Sequence, residues 1–171
     1  MGGHLWLIGL MGSGKSLAGR QLADGRSVPF ADTDDIVADR TGCSVAALWG
    51  SLGEQAFRDM EAAAVVRIAA ETEPTIIACG GGAVLRPESA DLMRATGVVV
   101  WLTAAPDVLA GRLGAGTGRP LLAEAPVANR LDELLAARRP VYAATAHFEV
   151  ATDGKNPTEV VAELERLWPT T

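Results

Sequence analysis

The chain has 171 residues, 49% of them apolar and 21% charged, with a net charge of −6; this is enough for one domain with a full core and too apolar for a disordered chain. The acidic balance argues against a nucleic-acid duplex as partner, which asks for a basic face, and no apolar run approaches a membrane span. Cys43 and Cys79 fit neither a metal-ligand spacing nor a disulfide framework, as expected in a reducing cytoplasm, and the N-terminus lacks the basic region of a signal peptide.

The run HLWLI (His4–Ile8) predicts a buried strand, and KSLAGRQLAD (15–24) predicts a helix. Between them GLMGSGKS (9–16) fits the spacing G-x-x-x-x-G-K-[ST]. Gly12, Ser13 and Gly14 let backbone N–H groups crowd around phosphate oxygens, Lys15 adds a mobile positive charge, and Ser16 offers a hydroxyl to Mg2+. The helix N-terminus that follows also favours an anion. A glycine-rich turn that binds nothing would have no use for the lysine and serine.

VPFA (28–31) predicts a short strand ending at Asp32, followed by a helix over 35–40 closed by TG. If the backbone stays extended after Asp32, Asp32 and Asp34 point the same way, toward the phosphate loop. One carboxylate would then order Mg2+ through its waters while the other accepts a proton from an attacking hydroxyl. The plainer alternative is a pair of capping aspartates at a helix start.

Ser44 caps a short predicted helix carrying Val45, Leu48 and Trp49, and the longest helical pattern covers 54–71. Its start, GEQAFRDME, places Glu54, Arg58 and Glu61 on one face at spacings of four and three. Surface ion pairing explains that spacing; so does a rigidly held guanidinium that grips an acidic substrate. TIIAC (75–79) predicts a buried strand running into Gly80, Gly81 and Gly82, where three glycines invite close approach by a ligand. A helix after Pro87, a strand VVVWL (98–102), and a helix over Pro106–Leu113 follow. GAGTGRPLLAEAP (114–126) reads as a flap that carries Arg119 to the transferring phosphoryl group. A helix over about 126–139 ends in the pair Arg138 and Arg139, where positive charge suits the dipole, before a strand HFEVA (147–151) and a helix over 157–168.

Strands thus alternate with helices about five times, and apolar strands of this kind belong to a parallel sheet covered on both faces. The predicted fold is α/β, a three-layer α/β/α sandwich with a five-stranded parallel sheet of P-loop NTPase type, in one domain spanning 1–171. Ligands in such sheets bind beyond the carboxyl ends of the strands, where the loop, the aspartates and the glycine triplet fall.

Taken together, GLMGSGKS, DTD, RTG, GEQAFRDME, GGGAV, RPLL and RRPVY resemble the shikimate kinases, small members of the nucleoside monophosphate kinase-like P-loop proteins. The likeness covers essentially the whole chain in order. It implies ATP-dependent phosphorylation of the 3-hydroxyl of shikimate, on the route to chorismate and the aromatic amino acids, by an enzyme that uses Mg2+. With no extended apolar patch or heptad seam in the sequence to argue for assembly, a cytoplasmic monomer is expected. It implies substrate-binding helices over about 33–61 and a mobile lid over about 112–126. On that resemblance Gly12, Ser13, Gly14, Lys15, Ser16 and Leu17 hold the ATP phosphates, and Ser16 and Asp32 serve the metal. Asp34 binds substrate hydroxyls and orients or deprotonates the attacker. Arg58, Arg138 and the backbone of Gly80, Gly81 and Gly82 bind shikimate, with Glu61 steadying Arg58 and Val45, Trp49 and Phe57 on the apolar side of the pocket. Arg119 is the lid arginine, while Arg112, Lys155, Asn156 and Pro157 lie around adenine. The chain departs from the pattern at Leu17, where threonine is frequent, at Trp49, often phenylalanine, and in PVY, where PLY is usual.

A kinase for another acidic polyol such as gluconate has less reason to carry DTD, FRDME and RPLL together. A nucleoside monophosphate kinase needs contacts to a second nucleotide, and a nucleotide-binding regulator has no need of the acceptor-side residues.

Overall fold

The computed structural model describes residues 3–114, 122 and 126–168. Arg119 and most of the expected lid lie outside the described residues. Strand β1 (His4–Ile8) leads into helix α1 (Lys15–Arg26), β2 (Phe30–Asp32), α2 (Thr33–Thr41), α3 (Val45–Ala69) and β3 (Ile76–Ala78). After a 3-10 turn (Ala83–Leu85) come α4 (Pro87–Thr96), β4 (Gly97–Thr103), α5 (Pro106–Leu113), α6 (Val127–Thr145), β5 (Phe148–Ala151) and α7 (Pro157–Leu167).

The five strands form one parallel sheet in the order β2-β3-β1-β4-β5. Alternation along β1 divides the core in two. Trp6 and Ile8 join Ile77, Val99 and Trp101 on one face, closed by residues of α3, α4 and α6 such as Val65, Met93 and Leu131. Leu5 and Leu7 join Ile76, Val100 and Leu102 on the other, closed by Leu22 of α1 and Leu164 of α7, with Trp168 just beyond. Both faces being covered explains why β1 reads as an unbroken apolar run. Each fully buried tryptophan here contributes burial that would cost about 3–5 kcal/mol to truncate to alanine. A smaller cluster, Val37, Leu48, Phe57 and Ala64, packs α2 against α3.

Because β1 lies between β3 and β4, the chain leaves it toward one side of the sheet and later returns to the other, opening a crevice at its carboxyl end. The phosphate-loop sequence emerges at that crevice. Among the described residues no helix is long and apolar enough to cross a membrane.

Three local expectations change. The helix after β2 begins at Thr33 rather than at Asp35, because the Asp32 carboxylate accepts the Asp34 N–H at 3.0 Å and caps it. The backbone therefore does not stay extended through Asp34. The segments around Ser44 and Glu54 are assigned one helix, α3, but Gly53 (φ 81, ψ 170) breaks it between the two expected parts. Helix α6 does not stop at Arg139: it runs through Pro140 to Thr145. Proline forgoes one backbone bond, and the burial of Tyr142 and Thr145 beyond it offsets the loss. Arg138 and Arg139 consequently sit inside the helix, so the dipole at its end gives that pair no special stabilisation.

Candidate active site

The loop from β1 to α1 is shaped by Gly12 (φ +80) and Gly14 (φ +92), conformations that favour glycine. It wraps the Lys15 ammonium, which donates to Gly9 O at 2.9 Å, Leu10 O at 2.8 Å and Ser13 Oγ at 3.4 Å. Lys15 is thus a buried positive charge at a helix N-terminus, the setting an anion seeks. One residue on, Ser16 Oγ donates to Asp32 Oδ2 at 2.7 Å, linking α1 to the end of β2.

Asp34, in the first turn of α2, reaches the same cavity as Asp32 although the premise of an extended backbone fails. This cavity, of about 520 Å3, is bounded by Gly12, Ser13, Gly14, Lys15, Ser16 and Leu17 on one side and by Gly80 and Gly81 on another. Burial raises the Asp34 carboxyl above its ordinary value, with Asp32 adding to the effect and Lys15 and Arg58 opposing it. Its Oδ1 has no hydrogen-bond partner. Behind it, Thr33 Oγ1 accepts the Gly80 N–H at 2.7 Å and ties the start of α2 to the glycine triplet.

The face predicted on α3 forms as expected. Arg58 Nη1 donates to Glu61 Oε2 at 2.8 Å and Nη2 donates to Glu54 Oε1 at 3.3 Å, while the guanidinium lies over the rings of Trp49 at 5.2 Å and Phe57 at 5.6 Å. Burial raises the Glu61 carboxyl, against the pull of Arg58. A Cβ at Gly82 would collide with this guanidinium, so glycine is what lets the triplet and Arg58 meet. Arg138 arrives from α6 and donates from Nη1 to Gly81 O at 3.1 Å. Arg139 turns away and lies over Trp101.

Among the described residues, the buried side-chain polar atoms without a partner are Asp34 Oδ1, Arg58 Nε, Glu61 Oε1 and Trp101 Nε1. The first three sit together beside Gly80 and Gly82. Buried polar groups are normally paired, and a cluster of such exceptions marks where a polar ligand would complete the set.

At the opposite end of the cavity Arg112 donates to Gly12 O at 3.3 Å and to Thr152 Oγ1 and O at 2.9 and 2.7 Å. Lys155 lines the cavity with its ammonium 2.7 Å from Glu163, and Pro157 lines it as well. Asn156 does not: its side chain accepts the Glu159 N–H at 3.0 Å in a capping box for α7. Arg58, Gly82 and Arg138 lie beside this cavity, just past Gly80 and Gly81, rather than along its wall.

Sequence reasoning missed Thr33, Cys79 and Thr152 at the site. Cys79 is fully buried, and burial pushes its thiol well above the ordinary value, which keeps it inert. Thr33 stood inside DTD and carried a signal; Thr152 belongs to no motif, and only the fold brings it to Arg112.

The shikimate kinase family model matches residues 11–168. A shikimate kinase of Symbiobacterium thermophilum is 47% identical over 164 residues, covering 94% of this chain and 93% of the relative. In three dimensions the chain resembles a shikimate kinase from Acinetobacter baumannii in complex with shikimate, with a TM-score of 0.93 and 26% identity over 98% of this chain and 93% of the other. A gluconokinase from Sinorhizobium meliloti 1021 has a TM-score of 0.58 at 22% identity, over 97% and 93% of the two chains, a likeness of fold alone. The fold thus extends beyond one kind of kinase, whereas the family model and the 47% identical relative span nearly the whole chain, and the chain belongs to the shikimate kinase family.

Proposed function

We propose that the protein transfers the γ-phosphoryl group of ATP to the 3-hydroxyl of shikimate, giving shikimate 3-phosphate and ADP. The observation that carries this reading is the approach of Arg58 and Arg138 to Gly82 and Gly81, beside the cavity that the phosphate loop lines from its other side. Two guanidinium groups at one end suit a carboxylate, and the unpartnered Asp34 Oδ1 between them and Lys15 suits a hydroxyl. Shikimate, an acid with three hydroxyls, needs both.

In this scheme the oxygen–phosphorus bond to the acceptor forms as the bond to the β-phosphate oxygen breaks. The hydroxyl proton passes to Asp34, whose raised affinity for a proton suits a base, and ADP leaves. Lys15 neutralises charge on the β- and γ-phosphates, with Gly12, Ser13, Gly14, Ser16 and Leu17 as the backbone cradle. Arg119, from a lid over about 112–126, adds positive charge to the transferring group, while Arg112, Lys155 and Pro157 surround the base and Asn156, as the cap of α7, holds that end in place. Arg58, Arg138 and Gly80, Gly81 and Gly82 hold shikimate.

The Ser16 hydroxyl and Asp32 carboxylate fit Mg2+: hard oxygen donors 2.7 Å apart at the loop, with no denser cluster of ligating residues among the described residues. Mg2+ typically takes one or two protein oxygens and completes its shell with phosphates and water. When bound there it would supply charge neutralisation on the phosphates. We place the enzyme in the cytoplasm as a monomer of one domain, a reading that rests on the sequence, where the two cysteines fit no disulfide framework and no heptad seam runs.

The test is a coupled ADP-release assay with Mg·ATP and shikimate, run beside gluconate, quinate and AMP. Turnover with shikimate alone is the expected result; turnover with gluconate or AMP in its place would overturn the acceptor assignment.

A further inference from the structure

The Gly81 carbonyl accepts two hydrogen bonds from one helix. Tyr142 Oη donates at 2.5 Å and Arg138 Nη1 at 3.1 Å, which occupies both lone pairs of that oxygen. The donors share a face of α6 because they lie four residues apart, a spacing that exists only because the helix continues through Pro140. Tyr142 is fully buried, its ring stacked on Trp101 with centroids 5.5 Å apart, so the hydroxyl is aimed by packing. Burial pushes the phenol up to about 12, against the pull of Arg138, and it stays a donor across the working range.

Holding Gly81 O has a consequence on the other side of the peptide. A trans peptide unit is planar, so fixing that carbonyl also fixes the Gly82 N–H, which points the opposite way. Among the described residues neither the Gly81 nor the Gly82 N–H has a protein partner, while the Gly80 N–H is taken by Thr33. The Gly82 Cα rests against the Arg58 guanidinium. The donors left open are thus the ones beside the substrate-binding arginines.

We propose that Tyr142 is a positioning residue for the acceptor: by holding the Gly81 carbonyl it sets the Gly82 N–H and the Arg138 guanidinium toward the substrate without touching it. The substrate named here rests on the function proposed above. Tyr142 has no exposure and its hydroxyl is spent on the Gly81 carbonyl, so its effect passes through Gly81.

Tyr142→Phe keeps the ring and its stacking and removes only the donor. The KM for shikimate should rise about tenfold, the loss of one well-placed hydrogen bond, with kcat and the KM for ATP within about twofold of wild type. A fall in Tm with an unchanged KM for shikimate would mean a structural role only and would overturn the proposal. A second readout needs no acceptor: in substrate-free 15N-labelled protein, Tyr142→Phe should shift the Gly82 amide and Arg138 Nε resonances while those of Gly12 and Gly14 stay. Unmoved Gly82 and Arg138 resonances overturn it whatever the kinetics. If wild type fails to turn over shikimate, the functional reading falls, and these resonances still decide the role of Tyr142.

Discussion

Arg58 Nη1 donates to Glu61 Oε2 at 2.8 Å one turn away on the same helix, and Glu61 is only 1% exposed. A pair this buried differs from the surface pairs that spacing alone predicts: removing Glu61 leaves the Arg58 guanidinium with little water and only the exposed Glu54, at 3.3 Å, as its carboxylate partner. Glu61→Ala should therefore lower stability by about 3 kcal/mol in urea unfolding. It should also raise the KM for shikimate more than about tenfold, and Glu61→Gln, which keeps one acceptor oxygen, should recover part of both. An unchanged KM in Glu61→Ala would show that Glu54, Trp49 and Phe57 suffice to orient Arg58.

Gly82→Ala separates function from folding at the same arginine. The added methyl would collide with the tip of the Arg58 side chain rather than with backbone, so the guanidinium would be displaced at modest cost to the fold. We expect a Tm within about 3 °C of wild type and a KM for shikimate raised at least about tenfold. A large loss of Tm with normal KM would place the glycine requirement in the backbone instead.

The phosphate loop, the Arg58 face and the alternating strands of an α/β sheet are legible in the sequence because each rests on short-range spacing: glycines before Lys15 and Ser16, three- and four-residue intervals on α3, unbroken apolar strands. Asp32 and Asp34 reach the site by a different local route from the extended backbone expected of them, since the cap formed by Asp32 starts α2 early and curls Asp34 back toward the cavity. The end of α6 is not legible because proline is a helix breaker by local rule, and the burial of Tyr142 that carries the helix past Pro140 is a tertiary effect. Thr152 and the Tyr142 contact with Gly81 join residues distant in sequence, and no periodicity announces them.

Asp34→Asn tests the proton acceptor. The amide keeps the size of the side chain and an acceptor oxygen, but not the basicity. Activity with shikimate should fall about 10²- to 10⁴-fold in kcat, while ATP affinity, measured by nucleotide titration, stays within about threefold, because Lys15 and the loop are untouched. A kcat near wild type would reduce Asp34 to orienting the hydroxyl.

The two histidines give stability a pH dependence at the end of the sheet away from the site. His4 Nδ1 accepts the Thr75 N–H at 3.3 Å and His147 Nδ1 accepts the Val99 N–H at 3.0 Å, so both rings are held with that nitrogen unprotonated. Burial lowers both below the ordinary 6.5, with Arg94 adding to the effect at His147 and Glu71 opposing it at His4. Between each lowered folded value and about 6.5 the unfolded chain binds more protons than the folded one, so stability rises with pH across that window. The contribution is complete above about 6.5 and is lost as pH falls through the window. Asn preserves an acceptor near the position of Nδ1 and does not titrate. In urea unfolding from pH 7 to pH 5, the double variant His4→Asn, His147→Asn should lose less stability than wild type, the difference in slope being at most about 1.4 kcal/mol per pH unit for each histidine. Parallel curves would show that these rings are not protonated on unfolding in that range.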